Sequence, residues 1–454
     1  MKHARDLYGT ISGLPIVSPH GHTDPAWFAA NRNFTDATSL FLTPDHYVLR
    51  MLRSQGITYE ALGVARPGEM PRVSGLDAWK LFAANFYLFA GTPSELWIGH
   101  AFNWAFGITE TLGPDNAAAI YDTITRRLAD DDLKPLAILE RANVEVIATT
   151  EFATDPLDHH KILKSRGLSR RIRTTYRPDD VTDPANPAFI GNMRHLAEMT
   201  GEDVGSWSGM IEAHRKRRAV FRDHGATATD HGVPDAMTAD LQPQQKQKLL
   251  DLALKDGLDE PGKALFRAQM MTEMAALSVE DGMVMQLHAG SRRNTDPWLR
   301  EQFGPNLGAD IPAAANFVNA LQPLLSRFGA AEGFRLILFT LDETAYAREL
   351  APMAGYWPAL MIGPPWWFHD SPQGIRRYLD QVVETAGFYN LAGFNDDTRA
   401  LLSIPARHDV WRREICRFLG NLVAEHRLSA STASEIARHL AYGAAKAAYR
   451  MDQD

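Results

Sequence analysis

Short apolar runs, many rich in β-branched residues, recur along the chain between turn residues, as is typical of buried strands. Helical patterns separate most of these runs, as at 265–277, 313–328 and 374–385. A strand and a helix that alternate eight times predict an α/β fold, a parallel (β/α)8 barrel of the TIM type. The eight predicted strands are Ile16–Val17, Val144–Thr150, Ile172–Tyr176, Ala226–Thr229, Met283–Leu287, Leu336–Leu341, Ala359–Ile362 and Tyr389–Phe394.

A long stretch after the first strand interrupts this alternation. Residues 25–132 are rich in aromatic side chains and helical pattern, and they contain no convincing strand. The part from 78 to 106 is too apolar for a solvated loop and is typical of packed helices. We therefore predict one barrel domain over 1–454, with 25–132 as an inserted helical subdomain.

One helix start within this insertion carries polar side chains of interest. Thr43 offers a capping hydroxyl, Pro44 suits the first helical position, and Asp45 lies near the positive end of the helix dipole. This arrangement places His46 and Tyr47 in the first turn of a helix.

The first strand ends in a histidine pair. Pro19 and Gly21 stop the strand, so His20 and His22 lie where the chain leaves the sheet. Alternate residues of an extended segment point the same way, so both imidazoles can face one point. Two imidazoles on one point indicate a divalent metal ion.

Polar side chains also follow the other predicted strands. In a barrel of this kind the chemistry lies at the C-terminal ends of the strands. Histidine, carboxylate and arginine side chains that converge from several strand ends therefore indicate an active site. They are Glu151, Arg177-Pro178-Asp179, Asp230-His231, His288, Asp342-Glu343, Trp366 to Asp370 and Asn395 to Arg399.

The eighth strand supplies a candidate third ligand for the metal. An acid at its end lies beside the first strand in a closed barrel, which makes Asp397 a partner for His20 and His22. Asp396 is the alternative, because neighbouring strand residues face opposite ways and only one of the two acids can point inward.

Two arginines at strand ends indicate the substrate class. Arg177 and Arg399 would supply forked donors for a carboxylate or a phosphate, so we expect an organic anion. By contrast, we interpret the pairs His159-His160 and Asp230-His231 as structural, because turn or helix residues follow each of them.

Composition narrows the class of protein and its location. The net charge of −8 over 454 residues does not suggest nucleic acid or anionic lipid as a partner. Cys416 is the only cysteine, which excludes an intramolecular disulfide and a thiolate metal cluster. No signal-peptide core and no apolar stretch of about 20 residues is present, so we expect a cytoplasmic protein without a membrane partner.

Several segments, in order along nearly the whole chain, resemble the uronate (glucuronate) isomerases of the amidohydrolase superfamily. They are Ser18 to His22, Asp45-His46-Tyr47 with Arg50, Thr149-Thr150-Glu151, Tyr176 to Asp179, Met285 to Gly290, Trp366 to Asp370, and Asn395 to Arg399 through Arg407-His408.

This resemblance implies a distorted (β/α)8 barrel with one divalent metal ion, commonly zinc, held by His20, His22 and Asp397. It also implies the interconversion of D-glucuronate and D-fructuronate, and often of D-galacturonate and D-tagaturonate. The partner is then a small hexuronate, and we expect the chain to form a homo-oligomer.

The physical demands of that reaction suggest roles for further residues. Proton transfer from C2 to C1 of an open-chain aldose passes through an enediol, whose negative charge a cation and fixed donors stabilise best. His46 and Arg399 are the candidate donors, and either Tyr47 or Asp397 could move the proton. The expected substrate contacts are Arg177 on the uronate carboxylate, His288, and Trp366 as a pocket wall.

Two other classes of function remain alternatives. A metal-dependent hydrolase of the same superfamily would use the same histidine pair and strand-eight acid to activate water. No metal-bridging lysine is evident at the end of strand four, which argues against the two-metal form. A non-catalytic sugar-acid binding protein would not need Tyr47, His46 and Arg399 together with the metal residues.

Overall fold

The computed structural model describes residues 2–452 and contains eleven short strands. They are β1 (Ile16–Ser18), β2 (Val144–Ala148), β3 (Glu151–Phe152), β4 (Ile172–Arg173), β5 (Tyr176–Arg177), β6 (Ala228–Gly232), β7 (Val284–Ala289), β8 (Ser291–Arg292), β9 (Ile311–Pro312), β10 (Leu336–Thr340) and β11 (Leu360–Ile362).

Helices surround and connect these strands. They are α1 (Lys2–Ile11), α2 (Pro25–Ala30), α3 (Ala37–Phe41), α4 (His46–Arg53), α5 (Gly75–Ala84), α6 (Pro93–Phe106), α7 (Ala117–Arg127), α8 (Pro135–Arg141), α9 (Asp158–Ser165), α10 (Asp179–Thr182), α11 (Phe189–Thr200), α12 (Trp207–Asp223), α13 (Pro243–Ala253), α14 (Glu260–Asp281), α15 (Pro297–Phe303), α16 (Phe317–Phe328), α17 (Ala351–Ala354), α18 (Pro372–Ala386), α19 (Ile404–Ala424), α20 (Ala430–Arg438) and α21 (Ala444–Ala448). Among these described helices, none combines the length and the apolar character that crossing a bilayer requires.

Parallel pairing in strand order builds the barrel that the sequence predicts. One sheet runs β1-β2-β4 and the other runs β11-β10-β7-β6-β5-β3. The chain passes directly from β2 to β3 and from β4 to β5, and backbone hydrogen bonds such as Thr149 N–H to the Arg173 carbonyl (2.9 Å) continue across the breaks. The two sheets are therefore one curved surface, and the predicted (β/α)8 barrel is confirmed in its distorted form.

The eighth strand is the irregular part of the barrel. We predicted a strand over 389–394, but only Leu391 forms a bridge, to Ile362 of β11. Gly393 adopts a φ of +80°, outside the extended region, so regular pairing cannot continue. Closure onto the first strand comes later in the chain, where His22 N–H donates to the Thr398 carbonyl at 3.0 Å.

The interior of the barrel is filled from two sides. Tyr449, which follows α21, is buried in the same apolar cluster as the inward-facing strand residues, and its hydroxyl donates to Gln286 Oε1 of β7 at 2.9 Å. The C-terminal end of the chain therefore supports the floor of the barrel. The strand residues in this cluster include Val17, Val146, Ala228, Val284 and Ile337.

Helices α2 to α8 lie between β1 and β2, where the insertion is predicted. Their aromatic side chains form a buried core of their own, in which the Trp79 Nε1–H donates to the Ala117 carbonyl at 3.1 Å. No strand occurs in this described stretch. The subdomain boundaries 25–132 stay a prediction.

Two local predictions need correction. Helix α4 begins at His46, and its cap is Asp45, whose carboxylate accepts from Tyr47 N–H at 2.8 Å and Val48 N–H at 3.3 Å. Thr43 and Pro44 precede the helix. The fourth barrel strand covers 228–232 instead of 226–229, so Asp230 lies within the strand and does not follow it.

Arg412 on α19 fixes the approach to the first strand. Its buried guanidinium donates to the carbonyls of Ser12 (3.0 Å), Leu14 (2.8 Å) and Pro15 (2.9 Å), which directly precede β1. Without the Arg412 guanidinium these carbonyls would lose a charged hydrogen-bond donor that is buried. Arg412 therefore ties the segment before β1 to α19, across separations of 397 to 400 positions along the chain.

We expect Arg412→Met to destabilise the protein by about 3 kcal/mol, because several hydrogen bonds from a charged donor are lost together. The midpoint of urea unfolding measures this. Arg413→Met is the matched control, since Arg413 is exposed and pairs only with its helix neighbour Asp409 and with Tyr8. The Arg413→Met substitution should lower the free energy of unfolding by no more than about 1 kcal/mol. Equal shifts in both variants would contradict an anchoring role for Arg412.

Candidate metal centre and active site

The histidine pair lies just beyond β1 and is held by backbone contacts on two sides. His22 N–H bonds to Thr398, and the Thr150 hydroxyl donates to the Gly21 carbonyl at 2.9 Å. The two imidazole rings meet edge to face with centroids 5.2 Å apart. His20 is fully buried and His22 is partly open to solvent. The pair is therefore fixed with one side accessible.

Asp397, not Asp396, faces the histidine pair. Its Oδ1 lies 3.4 Å from His20 Nε2 and 3.2 Å from His22 Nε2. Asp396 points elsewhere and contacts His408 Nε2 at 3.1 Å through its Oδ2. Asp397 has a φ of +41°, a left-handed conformation that aspartate tolerates better than most residues.

Asp230, which we interpreted as structural, lies beside the candidate metal ligands. Its Oδ1 is 2.7 Å from His288 Nδ1, and its Oδ2 is 3.0 Å from Arg177 Nη1. Once β6 is placed correctly, alternation puts Asp230 on the same face as Ala228, which packs inside the barrel.

His231 and His160, by contrast, stay out of this group. His231 Nε2 lies 3.0 Å from the Thr229 hydroxyl. His160 contacts the Thr149 hydroxyl at 2.9 Å and the Glu151 carboxylate at 3.3 Å, so Glu151 is also turned toward a structural partner.

The donor set suits a metal ion. Ligand atoms of His20, His22 and Asp230 lie within 4.8 Å of one another, as do those of His20, His288 and Asp397. Four nitrogen and oxygen atoms of these residues are buried without a hydrogen-bond partner among the described residues, namely His20 Nε2, Asp230 Oδ2, His288 Nε2 and Asp397 Oδ1. Buried polar atoms are normally paired, and imidazole together with carboxylate is a common metal-binding set.

The charges of the site also favour a cation. Burial opposes ionisation of Asp397, but the His20 and His22 rings hold its pKa well below the usual range. Burial likewise opposes ionisation of Asp230, and Arg177 and His288 hold the pKa of that carboxyl well below its usual range. Both carboxylates are therefore charged at neutral pH.

Helix α4 presents His46 and Tyr47 beside this group. Burial, together with the positive charges of Arg399 and Arg407, lowers the pKa of His46 to about 3, so the ring is neutral. It stacks on Tyr47 with centroids 4.7 Å apart and meets Trp367 edge to face at 4.9 Å. His46 Nε2 is buried without a partner among the described residues.

The Tyr47 hydroxyl is already engaged. It donates to Asp370 Oδ1 at 2.9 Å and accepts from Phe368 N–H at 3.2 Å. Asp370 is held in turn by Arg407. Burial and the nearby Asp370 charge raise the pKa of Tyr47 well above its usual value. This arrangement leaves Tyr47 without a free proton to give.

The two predicted arginines have different surroundings. Arg177 donates from Nε to Asp179 at 2.7 Å and pairs through Nη1 with Asp230 at 3.0 Å, while its Nη2 lies against Gly232. Its guanidinium is therefore held by two carboxylates, with the side chain 16% exposed. Arg399 has no ion-pair partner among the residues that the structure describes.

Trp366 lies beside His288, with its ring centroid 4.8 Å from that of the imidazole. The following segment is tightly built, since Trp367 and Phe368 stack at 5.0 Å and Phe368 adopts a φ of +68°. A positive φ is uncommon for a bulky residue and is found where the surroundings impose it. The Arg50 guanidinium carbon lies 4.8 Å from the Phe368 ring centroid.

These features define a class of protein: a (β/α)8 barrel enzyme with a histidine and carboxylate site for a metal ion at the C-terminal ends of its strands. A family model described as Glucuronate isomerase matches residues 1–449. The chain belongs to this family and is thus an isomerase that interconverts an aldose and a ketose.

Individual relatives agree with the family assignment. The chain is 53% identical to a uronate isomerase of Xanthomonas oryzae pv. oryzae over 446 residues, which are 98% of this chain and 94% of that protein. It superimposes on the crystal structure of glucuronate isomerase from Caulobacter crescentus with a TM-score of 0.98 and 50% identity, covering 100% of this chain and 95% of that one.

A more distant structure keeps the same architecture. The uronate isomerase of Thermotoga maritima gives a TM-score of 0.92 at 26% identity, covering 99% of this chain and 97% of that one. A crystal structure described as that of a putative metal-dependent hydrolase from Lactobacillus casei is similar in fold, with a TM-score of 0.56 at 12% identity over 98% of each chain.

We expect Asp397→Asn to lower the metal content of the purified protein and to reduce turnover by about 10²-fold or more, because the variant loses both charge and basicity. Asp396→Asn is the matched control, since its side chain faces His408. Elemental analysis and turnover should show nearly full metal and activity in that variant. Reversed behaviour of the two variants would contradict the assignment of Asp397.

Proposed function

We propose that this chain interconverts D-glucuronate with D-fructuronate, and D-galacturonate with D-tagaturonate, by proton transfer assisted by a zinc ion. The main support for the proposal is that His20, His22 and Asp397 lie close together at the mouth of the barrel. The chain also belongs to the glucuronate isomerase family. A cytoplasmic location and a homo-oligomeric state complete the proposal.

His20, His22 and Asp397 would hold the metal ion, which supplies a positive charge for the oxygen atoms of the reacting carbons. Their donor types support zinc, because a borderline ion accepts imidazole nitrogen and carboxylate oxygen together. The partly open side of His22 gives substrate access to this point, while the buried His20 keeps water away from the far side.

Asp397 is the better of the two candidates for moving the proton between C2 and C1. The proton of the Tyr47 hydroxyl is committed to Asp370, and burial raises the pKa of Tyr47. Asp397 is ionised, and its Oδ1 is buried without a hydrogen-bond partner among the described residues. We therefore assign proton transfer to Asp397 and a supporting role to Tyr47, which packs against His46.

Negative charge that develops on the substrate needs donors that are not already paired. Arg399 meets this condition. Burial lowers the pKa of its guanidinium, and the positive charges of Arg293 and Arg177 lower it further. The neutral His46 is a second donor on the same side. Arg177 pairs with Asp179 and Asp230, and its contact with the uronate carboxylate stays a prediction. Trp366 closes the pocket beside them.

We expect the purified protein to convert both D-glucuronate and D-galacturonate to ketoses, with deuterium from D2O appearing at C1 of part of the product. The label enters when the proton carried by Asp397 exchanges with solvent. Nuclear magnetic resonance follows both events, and a chelator followed by added zinc tests the metal requirement. Release of a hydrolysis product without any ketose would instead support a hydrolase. Binding of the uronate without turnover would support a sugar-acid binding protein.

We expect Arg399→Met to lower kcat/KM by about 10²–10³-fold, because a preorganised donor to developing charge is lost. Its thermal unfolding should stay close to that of the native protein, since no ion pair is broken. Arg177→Met is the comparison, and it should cost about 3–5 kcal/mol of stability by leaving buried carboxylates unpaired. If Arg177→Met raised KM alone and left stability unchanged, Arg177 would be the carboxylate clamp after all.

A further inference from the structure

A cavity of about 650 Å³ lies at the opposite end of the barrel from the candidate metal site. Much of its lining comes from segments that lead into barrel strands, namely 169–170 before β4, 225–227 before β6 and 282–283 before β7. These strands run parallel, so the cavity lies at their N-terminal ends. The candidate metal ligands lie toward the C-terminal ends, and the two sites are therefore separated by the barrel.

Arginine side chains dominate this cavity. Arg170, Arg222 and Arg450 line it, and none of these three has a carboxylate partner among the described residues. Arg173 also lines the cavity, but its guanidinium is already engaged, with bonds that include one from Nε to the Arg170 carbonyl at 3.0 Å. The lining therefore holds three cations that no carboxylate of the described chain neutralises.

The two acids in the lining already have cations of their own. Asp281 accepts from Arg218 at 2.7 Å and 2.9 Å. Asp223 pairs with Lys164 at 2.6 Å. Because Arg218 and Lys164 lie outside the lining, these pairs do not use up the arginines of the cavity. A surplus of positive charge remains.

Arg450 and Arg335 are two cations fixed next to each other at this end of the barrel. Arg450 donates to the Gly282 and Gly333 carbonyls. Arg335 donates to the Ala447 carbonyl at 2.7 Å. Burial lowers the pKa of Arg335, and the positive charge of Arg450 lowers it further. An anion bound in the cavity would offset this repulsion.

The lining indicates the chemistry of such an anion. Guanidinium groups pair with phosphate oxygen atoms through two parallel hydrogen bonds. No aromatic side chain occurs in the described lining, so a nucleotide base would find no stacking partner there, whereas Ser169 and Thr227 offer hydroxyl groups. The volume falls in the range of about 300–1,000 Å³ that is usual for small-molecule sites. A hydroxyl-rich compound with more than one phosphate group fits these conditions.

We propose that this cavity is a second ligand site, which binds a phosphorylated sugar through Arg170, Arg222 and Arg450. Because the barrel separates this site from the candidate metal site, a uronate and the phosphorylated sugar can be bound at the same time. Binding there requires neither a metal ion nor turnover.

Isothermal titration calorimetry of the full-length protein with fructose 1,6-bisphosphate, at low ionic strength, measures this binding. The native protein should bind one equivalent per chain, and saturating D-glucuronate should leave the affinity unchanged. Arg170→Gln and Arg222→Gln should each weaken binding by about 10-fold or more, because each removes a charged hydrogen-bond donor. Both side chains are exposed and make no ion pair among the described residues, so both variants should fold normally.

Arg215→Gln is the matched control. Arg215 is also exposed and lies on α12 together with Arg222, but it is engaged by Glu212 and Glu280 and does not line the cavity. This variant removes the same charge from the protein and should bind the bisphosphate with native affinity.

Absence of bisphosphate binding to the native protein, or displacement of the bisphosphate by D-glucuronate, would overturn the proposal. Native affinity in both Arg170→Gln and Arg222→Gln would overturn it as well. Equal weakening in Arg215→Gln and Arg222→Gln would do the same, since binding would then follow net charge alone. Citrate and ATP are tested as competitors. Competition by citrate at equal strength would refute the need for phosphate, and stronger competition by ATP would refute the sugar.

Discussion

Closure of the barrel between its last and first strands is the constraint on which the site depends. The eighth strand forms a single bridge with β11, and the seam is completed only where Thr398 accepts from His22 N–H. This bond joins the neighbour of Asp397 to one of the two histidines. The irregular backbone at the seam, with Asp397 in a left-handed conformation, is what turns its carboxylate toward both rings.

Charge balance is the second condition, and it explains why several charged residues near the centre pair with one another. Buried charges are stable only when they are paired. Arg177 balances Asp179 and Asp230, and Arg407 balances Asp370. These pairs hold His288 and Tyr47 in place. The unpaired groups that remain, chiefly Arg399 and the histidine and aspartate atoms at the centre, are the ones available for chemistry.

The sequence predicted the barrel and the histidine pair because both follow from local patterns, namely strand and helix alternation and two histidines after an apolar run. Asp396 and Asp397 could not be separated, since strict alternation does not hold where the backbone is left-handed. Asp230 was expected to follow its strand and lies within it, because the predicted end of that strand was wrong by three residues. The pairing of Tyr47 with Asp370 joins residues 323 positions apart, and no local pattern reports such a contact.

The location of Tyr449 bears on how the protein is made. The site draws on His20 near the start of the chain and Asp397 near its end, and the floor beneath it is filled by Tyr449. A ribosome synthesises these parts in order, so the nascent chain carries its first ligands long before it has the last. Contacts between residues this far apart in sequence also form slowly. The candidate metal site therefore cannot form before Asp397 has been synthesised, and the floor beneath it cannot be filled before Tyr449 has been added.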